Sequence, residues 1–202
     1  MNKNEIEQLT LKILYAEKVI SPPVDAERIA EISYDLEIDV LKLKNTDDLA
    51  SIDFNHKKII LNEIHEDKFN KNLGLRNFTI AHEMGHWFLH KNLPQENLFD
   101  EDTLGVKDYK IERQADYFAT CLLMPEKFVR AEFKKLTNNK LLKIRFFLKS
   151  AVEIMAKKFC VSKQAMEIRL SNELKLIYID KNRNFYLSEK EFLEESGQQK
   201  LF

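Results

Sequence analysis

Glycine and proline are scarce, four of each in 202 residues, which excludes a collagen-like repeat, long breaker-rich loops and the turn-dense chain of an all-β sandwich. The two cysteines, Cys121 and Cys160, form no C-x-x-C pair and cannot staple a small scaffold. They fit a reduced, intracellular protein, and a cytoplasmic location is the expectation. No apolar run approaches the roughly 18 residues that a membrane span needs. Residues 1–7 carry charge where a secretory signal needs an apolar stretch. Neither sign of charge dominates: 32 Lys and Arg stand against 33 Asp and Glu, so a globally basic nucleic-acid binder is not indicated. Hydrophobic residues make up 44%, enough to bury a core and to exclude a disordered chain.

Apolar periodicity and turn residues set out the organisation. A helix is expected over 4–19, ended by Ser21-Pro22-Pro23, and a second one capped by Asp25. Strand patterns follow at Ile38-Asp39-Val40-Leu41, at 50–54 and at 58–61, with Asn55-His56-Lys57 as a tight hairpin turn. Helical patterns cover 68–89, 108–124, 126–138 and 141–174, and an acidic, polar loop is expected at 92–107. Two short strands around Asp180-Lys181-Asn182-Arg183 precede a polar tail. Helices with segregated hairpins make an α+β fold, mainly helical, with a small antiparallel sheet and a C-terminal helical and hairpin region. We expect residues 1–125 to form the core and residues 126–202 the second part. Residues 126–175 hold thirteen basic against five acidic residues, which suits a solvated helical surface or a patch for an acidic partner.

Chemistry concentrates in Phe78-Thr79-Ile80-Ala81-His82-Glu83-Met84-Gly85-His86-Trp87-Phe88-Leu89-His90. On a helix, residues four apart share a face, so His82 and His86 can aim two imidazoles at one point. Zinc accepts imidazole nitrogen at about 2.0–2.1 Å, and a catalytic zinc site uses three protein ligands. Glu83, one step around the helix, is placed to act as a base on water rather than as a ligand. The polar residues sit in an apolar helix, where they are costly unless something satisfies them. His90 lies about 12 Å along the axis from His82, too far for one ion to take all three, and reads as a helix C-terminal residue that suits the dipole. A longer ligand spacing, with glycine at 89 and histidine at 92, is not met, because Leu89 and Asn92 stand there.

The third ligand is sought in Ile111-Glu112-Arg113-Gln114-Ala115-Asp116-Tyr117-Phe118-Ala119. Glu112 and Asp116 share a face, and Ala115 and Ala119 would let this helix come close to the histidines. Glu112 could then bind the metal and Asp116 could accept the N–H of a ligand histidine, fixing its tautomer. The alternative is an ordinary exposed carboxylate pair. Tyr109, Tyr117 and His65 are candidates for a donor to the developing oxyanion, each also explicable as structural. Cys121 reads as a buried, inert thiol.

The blocks from Phe78 to His86, Glu112-x-x-Ala115-Asp116-x-Phe118-Ala119 and Leu122-Leu123-Met124-Pro125 resemble the ImmA/IrrE metallopeptidases. The similarity extends over about residues 25–179. It implies a zincin-like core with His82, His86 and Glu112 as ligands of one Zn2+ and Glu83 as catalytic base. It also implies an intracellular endopeptidase of narrow specificity. Its protein partner would be a helix-turn-helix repressor of the XRE type, whose cleavage releases the genes of a mobile element, a prophage or a stress response. Two positions depart from the family pattern: Asp48-Leu49-Ala50 lacks an expected glycine, and Cys160 stands where a turn glycine is usual.

Two readings compete. Residues 156–170 resemble a weak helix-turn-helix, with Lys163, Gln164, Glu167 and Arg169 able to face a groove, which would make the protein a DNA-binding regulator. A binding module with a non-proteolytic metal site is the other.

Overall fold

A computed structural model describes residues 1–92, 107–137 and 145–195. The loop expected at 92–107, the start of the helical stretch at 141 and the end of the polar tail fall almost wholly outside them. The chain divides into two compact units, Met1–Pro125 and Glu126–Phe202. The fold is α+β and mainly helical. No helix among the described residues is long and apolar enough to cross a membrane.

The first unit opens with α1 (Lys3–Ala16), started by a capping box in which Asn2 and Glu5 satisfy each other's backbone N–H. Asp25 caps the short α2 (Ala26–Arg28), which continues as a π-helical turn, Ile29–Ser33, and stops before Leu36. Strands β1 (Glu37–Leu41), β2 (Ala50–Asp53) and β3 (Lys58–Asn62) form a sheet in the order β1-β3-β2. Asp53 builds the hairpin turn between β2 and β3, where its Oδ1 accepts the N–H groups of Asn55 and His56.

The sheet is mixed rather than antiparallel throughout. β2 pairs antiparallel with β3, but β1 runs parallel to β3, with Ile38 opposite Ile59. The cause is the connection at 42–49, which carries the chain past β3 to the opposite edge. Asn62, fully buried at the end of β3, holds that connection in place. Its amide donates to the carbonyls of Asp48 (2.8 Å) and Asn45 (3.3 Å), and its Oδ1 accepts the N–H of Leu43.

After the sheet come α3 (Glu66–Lys71), α4 (Leu73–His90) and α5 (Lys107–Leu123), with α4 packed against β2 and α5 against α4 and α1. Asn72 caps α4. Asn77 on α4 accepts the N–H of Ala26 and donates to the carbonyl of Val24, while Arg76 grips Glu27 with two hydrogen bonds. These contacts tie α2 to α4. The core joins Ile6, Ile13 and Leu14 of α1 with Ile80, Ala81 and Met84 of α4 and Ala115, Phe118, Ala119 and Leu122 of α5, all buried.

Helices α4 and α5 approach closely because small residues face each other. Ala115 and Ala119 are fully buried, as their spacing suggested. Gly85 provides the other half of the contact: a Cβ there would stand 2.9 Å from the Cα of Ala115 and 3.0 Å from its carbonyl oxygen.

The second unit contains α6 (Glu126–Thr137), α7 (Arg145–Phe159), α8 (Lys163–Ile168) with its π-helical extension Arg169–Glu173, the hairpin β4 (Tyr178–Ile179) and β5 (Phe185–Tyr186), and α9 (Glu189–Glu195). Glu132 of α6 binds Lys158 of α7, and Val129, Phe133, Val152, Met155 and Phe159 are among the residues that fill the interior. Cys160 ends α7 at φ 52°, so a cysteine holds the left-handed conformation that favours glycine. Ser162 caps α8 through the N–H of Ala165.

The helix-turn-helix reading loses half of its groove face here. Glu167 and Arg169 are 3% and 1% exposed, and each is held by a partner of opposite charge, Arg183 and Glu173 respectively. Lys163 is held by Glu153. Long polar side chains in a helical pattern look solvated, but these two are buried, Arg169 paired one turn on with Glu173 and Glu167 with Arg183 of the terminal hairpin.

Candidate active site

The polar stripe of α4 and the acidic face of α5 meet in the first unit. α4 places His82 and His86 one turn apart, and the Gly85–Ala115 contact brings α5 near enough for Glu112 to reach both. His82 Nε2 lies 3.1 Å from Glu112 Oε2, His86 Nε2 lies 3.3 Å from Glu112 Oε1, and the two Nε2 atoms are 3.0 Å apart. His82 Nδ1 donates to Asp116 Oδ1 at 2.9 Å. Three ligand atoms, one from each of His82, His86 and Glu112, therefore converge on one point.

The spacing fits a small cation. Ligands about 2.0–2.1 Å from a tetrahedral zinc lie roughly 3.3 Å from one another, close to the separations here. The chemistry also fits. Asp116 accepts but cannot donate, so a neutral His82 keeps its proton on Nδ1 and turns a lone pair on Nε2 toward Glu112 and His86. Two nitrogens and a carboxylate pointed at one spot repel unless a proton or a cation lies among them. Burial opposes charge on His82, but its hydrogen bonds to Asp116 and Glu112 outweigh this and push its pKa up to about 10. The same histidines hold the Glu112 carboxyl far below the usual carboxylate range.

Glu83 occupies a different environment. It is 6% exposed, and burial raises its pKa against the opposing pull of His82 and His86, with Glu112 and Asp48 adding to the rise. It lines a groove of about 560 Å³ together with His82, His86, Glu112 and Asp116, the segment from Asp47 to Ile52, and Phe54. Strand β2 is an edge of its sheet and forms one wall of this groove. Asn62 sets the position of that wall by fixing the connection that leads into β2.

His90 departs from its expected part. It remains in the last turn of α4 but is 2% exposed, with Nδ1 3.1 Å from His86 Nδ1 and Nε2 3.1 Å from Gln114 Oε1. Burial is the main cause that lowers its pKa. The four-residue spacing from His86 was the available signal; its other partner, Gln114, is 24 residues away.

None of the three oxyanion candidates lines the groove. His65 donates to the carbonyl of Thr46, Tyr117 lies under Lys3, and Tyr109 lies under Arg113. Cys121 is buried, as expected.

A family profile described as the IrrE N-terminal-like domain, from a peptidase family, matches residues 19–171. The chain belongs to this family. Within it, the chain is similar to Metallopeptidase ImmA of Bacillus subtilis (strain 168), 42% identical over 60 residues, which is 30% of this chain and 34% of that protein. A solved structure, a Mycobacterium tuberculosis transcriptional regulator, matches 89% of this chain and 58% of its own with a TM-score of 0.55. At 14% identity this likeness is one of fold. The chain thus covers about a third of the first relative and little over half of the second. Membership in a metallopeptidase family implies a divalent metal, and the donors on α4 and α5 are suited to hold one.

Proposed function

We propose that this protein is a zinc-dependent endopeptidase of narrow specificity, with His82, His86 and Glu112 as metal ligands, Glu83 as general base and Asp116 orienting His82. The observation that carries the reading is the convergence of three donor atoms beside a buried carboxyl whose pKa is raised. Bound there, a divalent cation supplies Lewis acidity, polarising a carbonyl and lowering the pKa of a water. Glu83 accepts the proton of the attacking water and delivers it to the leaving amine. Its raised pKa brings it closer to the range in which one group can do both. Asp116 keeps His82 in the tautomer whose Nε2 is free and prevents the ring from turning.

The substrate is proposed to lie along β2 as an added strand, since β2 is an edge strand of the sheet among the described residues and lines the groove. A proline within residues 51–54 should then raise KM for a protein substrate. The proposed substrate is a helix-turn-helix repressor encoded nearby, cleaved in the cytoplasm to release genes of a mobile element, a prophage or a stress response. The burial of Glu167 and Arg169 weighs against DNA recognition by α8.

Incubating the purified protein with zinc and the neighbouring repressor tests this reading. A discrete fragment is expected from the wild type and none from Glu83→Gln, which should retain the metal. Cleavage by Glu83→Gln at the wild-type rate would contradict it.

A further inference from the structure

A chain of hydrogen bonds runs from the back of His86 to the start of the chain. The two ring nitrogens of His86 face different partners: Nε2 faces Glu112 and His82, whereas Nδ1 faces His90. His90 turns its other nitrogen to Gln114 Oε1, and Gln114 Nε2 reaches the backbone carbonyl of Met1 at 2.5 Å.

The direction of every proton follows from that last carbonyl once both rings are neutral, the state that a metal-binding His86 requires. A carbonyl can only accept, so the amide nitrogen of Gln114 must face it. Gln114 Oε1 therefore faces His90, and an amide oxygen can only accept, so His90 Nε2 carries a proton. A neutral His90 then has a lone pair on Nδ1. His90 is buried, and the group in reach of that lone pair is His86 Nδ1, which must supply the N–H. A neutral His86 protonated on Nδ1 has a bare Nε2, and this is the atom that faces the other two donors.

We propose that His90 and Gln114 are positioning residues that fix the tautomer and ring orientation of His86, as Asp116 does for His82. The inference rests on the reading of His86 as a metal ligand. The two histidines are then served differently. His82 leans on a carboxylate at the mouth of the groove, 58% exposed at its side chain, whereas His86 leans on a neutral, buried ring whose own acceptor is an amide. The sequence separation also matters: Glu112, Gln114 and Asp116 come from one helix, so α5 supplies a ligand and a support for each histidine of α4.

The test compares zinc affinity, by competition with a chromophoric chelator, in the wild type, His90→Leu and His90→Asn, alongside the melting temperature of each metal-free protein. Loss of a partner behind a metal histidine typically weakens binding by about ten- to a hundredfold. His90→Leu should show a loss of that size. His90→Asn, whose carbonyl can stand where Nδ1 stood, should recover most of it even if both variants melt at the same temperature. A purely structural role would make affinity follow melting temperature without regard to the acceptor. If wild type and His90→Leu bind zinc equally, the relay is wrong although the metal site stands; if the wild type binds no zinc, the reading of the site fails with it. Should His90→Leu not fold, ring nitrogen NMR of the zinc-loaded wild type decides: His90 is expected bare at Nδ1 and protonated at Nε2, and a proton on Nδ1 overturns the proposal.

Discussion

Replacing Gly85 by alanine puts the close approach of α4 and α5 to a direct test. The added methyl would stand 2.9 Å from Ala115 Cα, 3.0 Å from its oxygen and 3.2 Å from Phe118 Cβ. Ordinary contact begins at 3.4 Å, so α5 must retreat by about 0.5 Å, and two of the three obstructing atoms are backbone that cannot rotate away. Glu112 lies one turn before Ala115 and moves with it. Metal sites tolerate about 0.2 Å in ligand distance, so the retreat should weaken zinc binding by roughly tenfold or more. Stability should change less. Alanine favours the helix by about 1 kcal/mol over glycine, while overpacking costs about 1–3 kcal/mol, leaving a net loss of roughly 0–2 kcal/mol. Zinc competition and thermal melting of Gly85→Ala measure the two effects separately. Unchanged affinity together with a higher melting temperature would show that the helices do not meet as described.

Two further substitutions probe the second unit, and one probes the groove wall. Cys160 at φ 52° carries a steric cost that glycine does not, so Cys160→Gly should stabilise by about 1 kcal/mol, read from denaturant unfolding; a loss would refute the strained turn. Lys135 and Lys158 lower the pKa of Glu132, so its contribution to stability is present above the ordinary carboxyl pKa of about 4.3 and is lost as pH falls through the lower folded value. Glu132→Gln should therefore be less stable than wild type at pH 7, with the difference vanishing in acid; a difference that persists in acid would contradict this. Asn62→Ala removes a fully buried amide and its hydrogen bonds to Leu43, Asn45 and Asp48 of the 42–49 connection, so it should destabilise by about 1–3 kcal/mol and raise KM for a protein substrate more than it lowers kcat.

What was legible in the sequence was chiefly what helical spacing encodes. The four-residue intervals of His82 and His86, and of Glu112 and Asp116, placed each pair on one face, and the alanines between them marked a close approach. The strands and the hairpin turn built on Asp53 could be read from local residues for the same reason. Features held by distant partners could not. β1 pairs parallel because Asn62 pins a connection as far as 19 positions before it, and nothing in the strand patterns declares this. His90 is buried, and its partner Gln114 comes from another helix. Glu167 is buried, and its partner Arg183 comes from the terminal hairpin. Gly85 stood inside the motif, yet its purpose depends on which neighbour it meets, and that is a property of the packed helices.

The central claim is that one cation is held jointly by His82, His86 and Glu112. Calorimetric titration of metal-free protein with Zn2+ measures it directly. One equivalent is expected to bind, with the melting temperature rising as binding adds about 2.7 kcal/mol at a hundredfold excess over Kd. Glu112→Ala should lose most of that affinity despite leaving both histidines in place. Wild-type protein that takes up no stoichiometric metal, or a Glu112→Ala variant that binds it equally well, would contradict the claim.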